Sequence, residues 1–188
     1  MKKIIIVSLM LVSFLFAEVK KEYYENGNLK FERTYKNGIQ EGISKVYKDN
    51  GKLAFEGYFK NGKMEGILKF YDDNGNLKSE VMYKDNKKNG LEKFYDDNGN
   101  LKRQVTIIND KREGMYKTYY ESGKLSSEGQ YKNDKLDGIS LLYYGNGNLS
   151  REVLFKENKA VEGFDYDFES GKKTKMTNAH FHNAGIDY

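Results

Sequence analysis

The sequence predicts an all-β protein, an elongated antiparallel meander of short hairpins built from a 24-residue repeat. Two observations carry this. Glycines recur at Gly27, Gly51, Gly75, Gly99, Gly123, Gly147 and Gly171, at a constant interval of 24 residues, and a fixed period of this size marks a repeat architecture. Between them run short segments in which apolar and polar side chains alternate, the pattern of half-buried strands. Composition agrees. The 188 residues include 19 Gly and 18 Asn as turn formers, no Pro, and 27 Phe and Tyr, more aromatic surface than a disordered chain carries.

Taken in order, the first element is residues 1–17. Lys2 and Lys3 precede an apolar run from Ile4 to Ala17, followed by the polar Glu18. Those 14 residues would span roughly 21 Å as a helix, short of the ~30 Å hydrocarbon core. The pattern is that of a cleaved secretory signal rather than a spanning helix. The expected mature chain then starts at Glu18, has no transmembrane segment, and resides in the periplasm, on the cell surface or in the medium. It carries 30 basic and 28 acidic residues, which gives no electrostatic case for binding nucleic acid.

Residues 18–165 hold six matched units, and 166–188 form a degenerate C-terminal cap. Four residues before each of the first six turn glycines stands a tyrosine: Tyr23, Tyr47, Tyr71, Tyr95, Tyr119 and Tyr143. Two residues after it stands a leucine, from Leu29 to Leu149, and five after it an acid or amide, from Glu32 to Glu152. Eight after it comes an apolar residue, Tyr35, Phe59, Tyr83, Ile107, Tyr131 or Phe155. A second glycine follows at Gly42, Gly66, Gly90, Gly114 and Gly138, then slips one place to Gly163.

Register selects the first turn. A two-residue Asn74-Gly75 loop would set Tyr71 on the lysine face, whereas a three-residue Asp73-Asn74-Gly75 loop pairs Tyr71 with Leu77 and Ile67 with Val81 on one face. A type I turn ending in a left-handed Gly75 is therefore expected, a conformation that glycine adopts without strain. The second connection, such as Asn61 to Glu65, reads as a loop of about five residues, with Phe59 facing Ile67. The resulting apolar stripe gathers Tyr71, Leu77, Val81, Tyr83, Leu91 and Tyr95. Lys78, Glu80 and Lys84 take the other face, with Phe70, Phe94 and Met82 intruding. Up to 14 strands and no helix are expected after residue 17. The seventh unit keeps Gly171 and loses the tyrosine and leucine positions.

The unit Y-x-x-[ND]-G-x-L-x-x-E-x-x-Y-K-N-G-x-x-x-G resembles the MORN-type repeat in its bacterial variant form, over about residues 23–165. It departs from the eukaryotic form, which is denser in glycine and carries a tryptophan that this chain lacks. The resemblance implies a single-layer, twisted hairpin sheet. It also implies two functional labels attached to such proteins: antitoxin of a toxin–antitoxin pair, and the accessory MORN region of phosphatidylinositol-phosphate kinases. No glycine-rich phosphate loop between a strand and a helix is present to support a kinase core.

Catalytic chemistry finds few parts. Without Cys there is no disulfide, thiol nucleophile or iron–sulfur site. The repeated glutamates read as cross-strand partners of lysines, because repetition signals architecture and an active site needs one unlike constellation. His180 and His182 would share one face of a strand, but zinc wants three or four ligands, and only Asp165, Asp167 or Asp187 could add to them. No metal or cofactor is assigned. The aromatic ladder of Tyr47, Tyr71, Tyr95, Tyr119, Tyr143, Phe59, Tyr83 and Tyr131 reads as the core of a thin sheet and as a platform for a partner. The expected function is an exported, non-enzymatic binding or scaffold protein that engages another protein, or an envelope glycan or lipid. The alternative is an antitoxin or immunity protein that neutralises a cognate toxin.

Overall fold

The structure is a computed structural model and describes residues 17–177. The expected signal segment, apart from Ala17, and His180, His182 and Asp187 lie outside the described residues. Fifteen strands form one antiparallel sheet: β1 (Glu18–Tyr23), β2 (Leu29–Lys36), β3 (Ile39–Tyr47), β4 (Leu53–Lys60), β5 (Lys63–Tyr71), β6 (Leu77–Lys84), β7 (Lys87–Tyr95), β8 (Leu101–Ile108), β9 (Lys111–Tyr119), β10 (Leu125–Lys132), β11 (Lys135–Leu136), β12 (Gly138–Tyr143), β13 (Leu149–Lys156), β14 (Lys159–Tyr166) and β15 (Lys173–Lys175). The strands are ordered along the sheet as along the chain, with the two-residue β11 a side branch on β10. Two compact units divide the chain within β7: residues up to Gly90 with 97–99, and residues 91–96 with 100 onward.

Each repeat alternates two kinds of turn. In the first, the Gly75 amide donates to the Asp72 carbonyl at 3.1 Å and the Asp72 amide to the Asn76 carbonyl at 2.9 Å. That is a type I turn closed by a glycine bulge, with Gly75 at φ 84°. The Asp72 carboxylate accepts from the amides of Asn74 and Asn76 at 2.8 and 2.9 Å, fixing the loop from within.

The second connection corrects the five-residue expectation. β4 ends at Lys60 and β5 begins at Lys63, leaving only Asn61-Gly62, at φ 50° and 76°. Positive φ at both positions defines a type I′ turn, whose twist matches that of the flanking strands. Asp85-Asn86, Asn109-Asp110, Asn133-Asp134 and Glu157-Asn158 take the same conformation. The second glycines lie inside the odd strands: Gly66, at φ 78°, sits where four residues of β5 span two of β4, between the pairs Tyr58–Glu65 and Glu56–Lys69.

The face assignment is corrected as well. Tyr71 pairs with Leu77, but the next pair is Phe70 with Ser79, so Lys78 is an extra residue on β6. One inserted residue exchanges the faces of everything beyond it. Leu68 therefore opposes Val81, and Ile67 opposes Met82. Leu68 is fully buried while Ile67 is exposed, the reverse of the expected arrangement. Phe59 pairs with Met64 rather than facing Ile67. Phe70 lies on the buried side against Phe55, with ring centroids 5.3 Å apart. On β7 it is Glu92 that is buried and Leu91 that is exposed, so Phe94, in step with Glu92, leaves the charged face too.

The buried side of the first unit is a row of small and large residues in complement: Ser44 pairs with Gly57, and Leu68 with Val81. A Cβ on Gly57 would lie 2.8 Å from both Leu68 Cγ and Phe55 Cζ. Those two side chains occupy the space a residue at 57 would need. In the second unit Tyr116 and Ser140 flank Gly129 in the same way, and the core gathers Val105, Ile107, Tyr116, Leu136, Val153, Phe155 and Met176. The seventh unit departs from expectation in one respect. Tyr166 supplies the tyrosine one place early, donating to Glu152 Oε2 at 3.2 Å as Tyr143 donates to Glu128 Oε1 at 2.8 Å. Lys173 stands where earlier units carry leucine.

Turns stitch successive repeats together. Tyr24 Oη donates to the Tyr47 carbonyl at 2.8 Å, and Asn50 Nδ2 to the Asp73 carbonyl at 3.2 Å. At the I′ end the Asn61 amide donates to Glu41 Oε2 at 2.6 Å, and Asn133 likewise to Glu113 at 2.7 Å. These bonds satisfy turn amides that face away from any strand partner.

Candidate partner-binding face

Opposite the buried rows lies a face with three columns. Along its middle in the first unit run Lys21, Glu32, Lys45, Glu56, Lys69 and Glu80, one per strand and alternating in sign. Ion pairs close at 3.1 Å for Lys21–Glu32, 3.4 Å for Lys45–Glu56 and 3.7 Å for Lys69–Glu80. Solvent-exposed pairs of this kind add little stability individually. In the second unit Lys117–Glu128 continues the pattern at 3.3 Å, after which Leu141 opposes Glu128.

Toward the type I turns the charged column is flanked by tyrosines, two residues along each odd strand from its lysine: Tyr47 and Tyr71 in the first unit, Tyr95, Tyr119 and, beside Leu141, Tyr143 in the second. All five are half-buried. Burial pushes the Tyr71 hydroxyl's pKa up. Burial, the hydrogen bond to Glu128 and that carboxylate's charge together push Tyr143 up to about 12. These tyrosines are therefore neutral hydrogen-bond donors, well removed from acid–base work near pH 7.

Toward the I′ turns the third column is apolar and open. Ile43 and Ile67 in the first unit, and Leu91, Met115 and Ile139 in the second, are between 39% and 54% exposed. Tyr58 pairs with Ile43, and Leu154 with Ile139, both exposed. This column was missed in the sequence. Its signal is the apolar residue directly after every second glycine, visible once each glycine is placed within its strand.

The aromatic residues expected to form one ladder form two, on opposite faces. Tyr47, Tyr71, Tyr95, Tyr119 and Tyr143 flank the charged column. Phe59, Tyr83 and Tyr131 line the buried side: Tyr83 opposes Gly66 beside the Leu68–Val81 pair, and Tyr131 packs on Tyr116 with centroids 5.3 Å apart. The turn glycines Gly27, Gly51, Gly75, Gly99, Gly123, Gly147 and Gly171 all have φ between 66° and 99°. Among the described residues no three His, Cys, Asp or Glu side chains stand close enough to hold a metal ion. No helix there is long and apolar enough to cross a membrane.

Two solved structures show local likeness. The crystal structure of TarM is 21% identical, with a TM-score of 0.36, over 51% of this chain and 20% of that one. A mutant of S. aureus TarM in complex with fondaparinux, alpha-GlcNAc-glycerol and UDP is 16% identical, with a TM-score of 0.29, over 58% and 19%. The chain thus spans about a fifth of those proteins. No curated protein matches it. The family model of the MORN repeat variant matches residues 19–37, 40–61, 64–85, 88–109, 112–133 and 136–157. Those segments each begin near an odd strand and end in the following I′ turn, covering most of the sequence, and the chain belongs to the MORN repeat-variant family.

Proposed function

We propose that this is an exported, non-enzymatic repeat protein that engages a partner of the cell envelope through the face bearing the charged and apolar columns. One observation carries the reading. The same strand position holds an exposed aliphatic side chain in five successive repeats, while the neighbouring position is fully charged. Exposed apolar surface organised in this way marks an interaction site. Support for a non-catalytic role is the repetition itself, which gives every repeat nearly the same side chains and no repeat a unique set. Support for export is the basic, apolar and small-residue sequence of positions 1–17.

The test replaces Ile43, Ile67, Leu91, Met115 and Ile139 with serine, which leaves the buried rows untouched. Cross-linked capture from the envelope fraction should recover a partner with the wild-type chain and lose it with the variant. Equal recovery by both chains, or none by either, overturns the reading. N-terminal sequencing of the native protein should begin at Glu18, and a chain that retains residues 1–17 in membranes overturns export.

A further inference from the structure

Beyond the apolar column, at the I′ end of the same face, the strand termini of the first unit are almost uniformly lysine. Lys36 ends β2, Lys60 ends β4, Lys63 begins β5, Lys84 ends β6 and Lys87 begins β7, with Ile39 at the start of β3 the one interruption. All five are exposed. Lys60 and Lys63 are direct cross-strand partners, an arrangement that opposes hairpin formation. Only Lys63 has an ion pair, with Asp85 at 2.9 Å; Lys36, Lys60, Lys84 and Lys87 form none among the described residues. The nearest glutamates, Glu41 and Glu65, are turned to the amides of Asn61 and Asp85. The Asp85 carboxyl is held below its usual range by the Lys63 hydrogen bond first, with Lys84 and Lys60 adding to it.

We infer that this lysine row binds a linear acidic polysaccharide, one carboxylate per sugar or per sugar pair, lying across the strand ends; the inference rests on the partner-binding role proposed above. Three features select this chemistry. Adjacent strands are ~4.8 Å apart, close to the advance of one pyranose ring along an extended glycan. The phosphates of an extended single-stranded nucleic acid fall further apart and out of step with the row. Next to the lysines on the same face stand Tyr58, Ile43 and Ile67, all exposed, which offer apolar surface to the C–H faces of sugar rings. The unfavourable Lys60–Lys63 pairing is relieved when an anion bridges the two ammonium groups.

The experiment measures binding of the full chain to fluorescently labelled polygalacturonate, to the same polymer fully methyl-esterified, and to a single-stranded oligonucleotide of matched length. Polygalacturonate should bind, more weakly as salt rises, and the neutral ester should not. The triple variant Lys60→Gln, Lys63→Gln, Lys84→Gln should bind about tenfold more weakly or worse, with unchanged circular dichroism and a melting midpoint equal to or above wild type. Four results overturn the inference: no binding of polygalacturonate by natively folded chain, equal binding of the ester, an unchanged triple variant, or an oligonucleotide that binds as tightly. If any of these occurs while the five-serine variant still loses its envelope partner, the glycan inference fails alone. If the serine variant also retains every interaction, the proposed role of the face fails with it.

Discussion

Gly57→Ala tests the packing of the first unit most directly. Gly57 has an ordinary strand conformation, so the substitution brings no backbone strain; what it brings is a methyl group 2.8 Å from Leu68 Cγ and Phe55 Cζ. Leu68 has 0% exposure, so it has nowhere to withdraw without displacing Val81 across the strand. Overpacking of this kind costs about 1–3 kcal/mol, offset by roughly 0.4–1 kcal/mol from the stiffer unfolded chain. The net is about 1–2 kcal/mol, or a melting midpoint lowered by roughly 2–8 °C for a chain of this size. Gly145→Ala is the control, because no atom lies within 4 Å of a Cβ there and its φ is unremarkable; its midpoint should hold or rise. Leu68→Ala alone should cost about 2–5 kcal/mol. The double variant should cost less than the sum by about 1 kcal/mol or more, since the new methyl enters the space the leucine leaves. Thermal and urea unfolding followed by circular dichroism read all four chains. A Gly57→Ala chain as stable as wild type, or a strictly additive double variant, refutes the complementarity of residues 57 and 68.

Three further outcomes are expected. Gly75→Val places a β-branched residue at φ 84° and should cost about 1–2 kcal/mol or more. Lys78→Ala removes exposed pairings with Asp97 and Asp72 and should cost at most about 1 kcal/mol; equal unfolding midpoints for the two count against the left-handed turn. Tyr143 titrates near 12 when folded against about 10 when unfolded, so the unfolded chain loses its proton first and stability falls as pH rises through that window. Tyr143→Phe should flatten that fall in melts recorded across alkaline pH, and an identical profile would show that its hydroxyl is not protected. Asp72 is held below the usual carboxylate range, chiefly by the Asn76 amide, so its contribution is present above the unfolded value of about 4 and lost as pH falls through the depressed folded value. Asp72→Ala should lessen the loss of stability on acidification, and an unchanged acid limb would remove the turn's carboxylate from that account.

The parts of the fold legible in the sequence are those set by one residue's backbone preference. The Asp73-Asn74-Gly75 turn follows from glycine at a left-handed position and from the register that pairs Tyr71 with Leu77. The interior registers were less legible because inserted residues leave no compositional mark. Lys78 looks like any exposed strand lysine, yet its insertion buries Leu68 and exposes Ile67. The I′ turns were obscured for a different reason. Asn61-Gly62 is a strong two-residue signal, but Asp85-Asn86 and Glu157-Asn158 do the same work without glycine, and the glycines four residues on drew the loop outward. The Lys–Glu column was readable from its constant spacing. The apolar column was not, because Ile43 and Ile67 belong to the core in any reading that omits the bulges.

The order of strands along the sheet has a consequence for how the chain is made. Every strand finds its first partner in the segment synthesised just before it, a few residues back across a turn. A chain delivered gradually, from a ribosome or through a membrane pore, can therefore add hairpins in sequence, with no strand left waiting for a distant complement. Contacts this local favour rapid folding and shorten the time for which apolar strands stand unpaired. The I′ turns, with both central residues in the left-handed region, set each hairpin's twist before the next repeat arrives. Length is then a free variable of the design: removing or adding one whole 24-residue period should preserve every type of junction in the sheet, whereas a single-residue change within a strand exchanges its two faces.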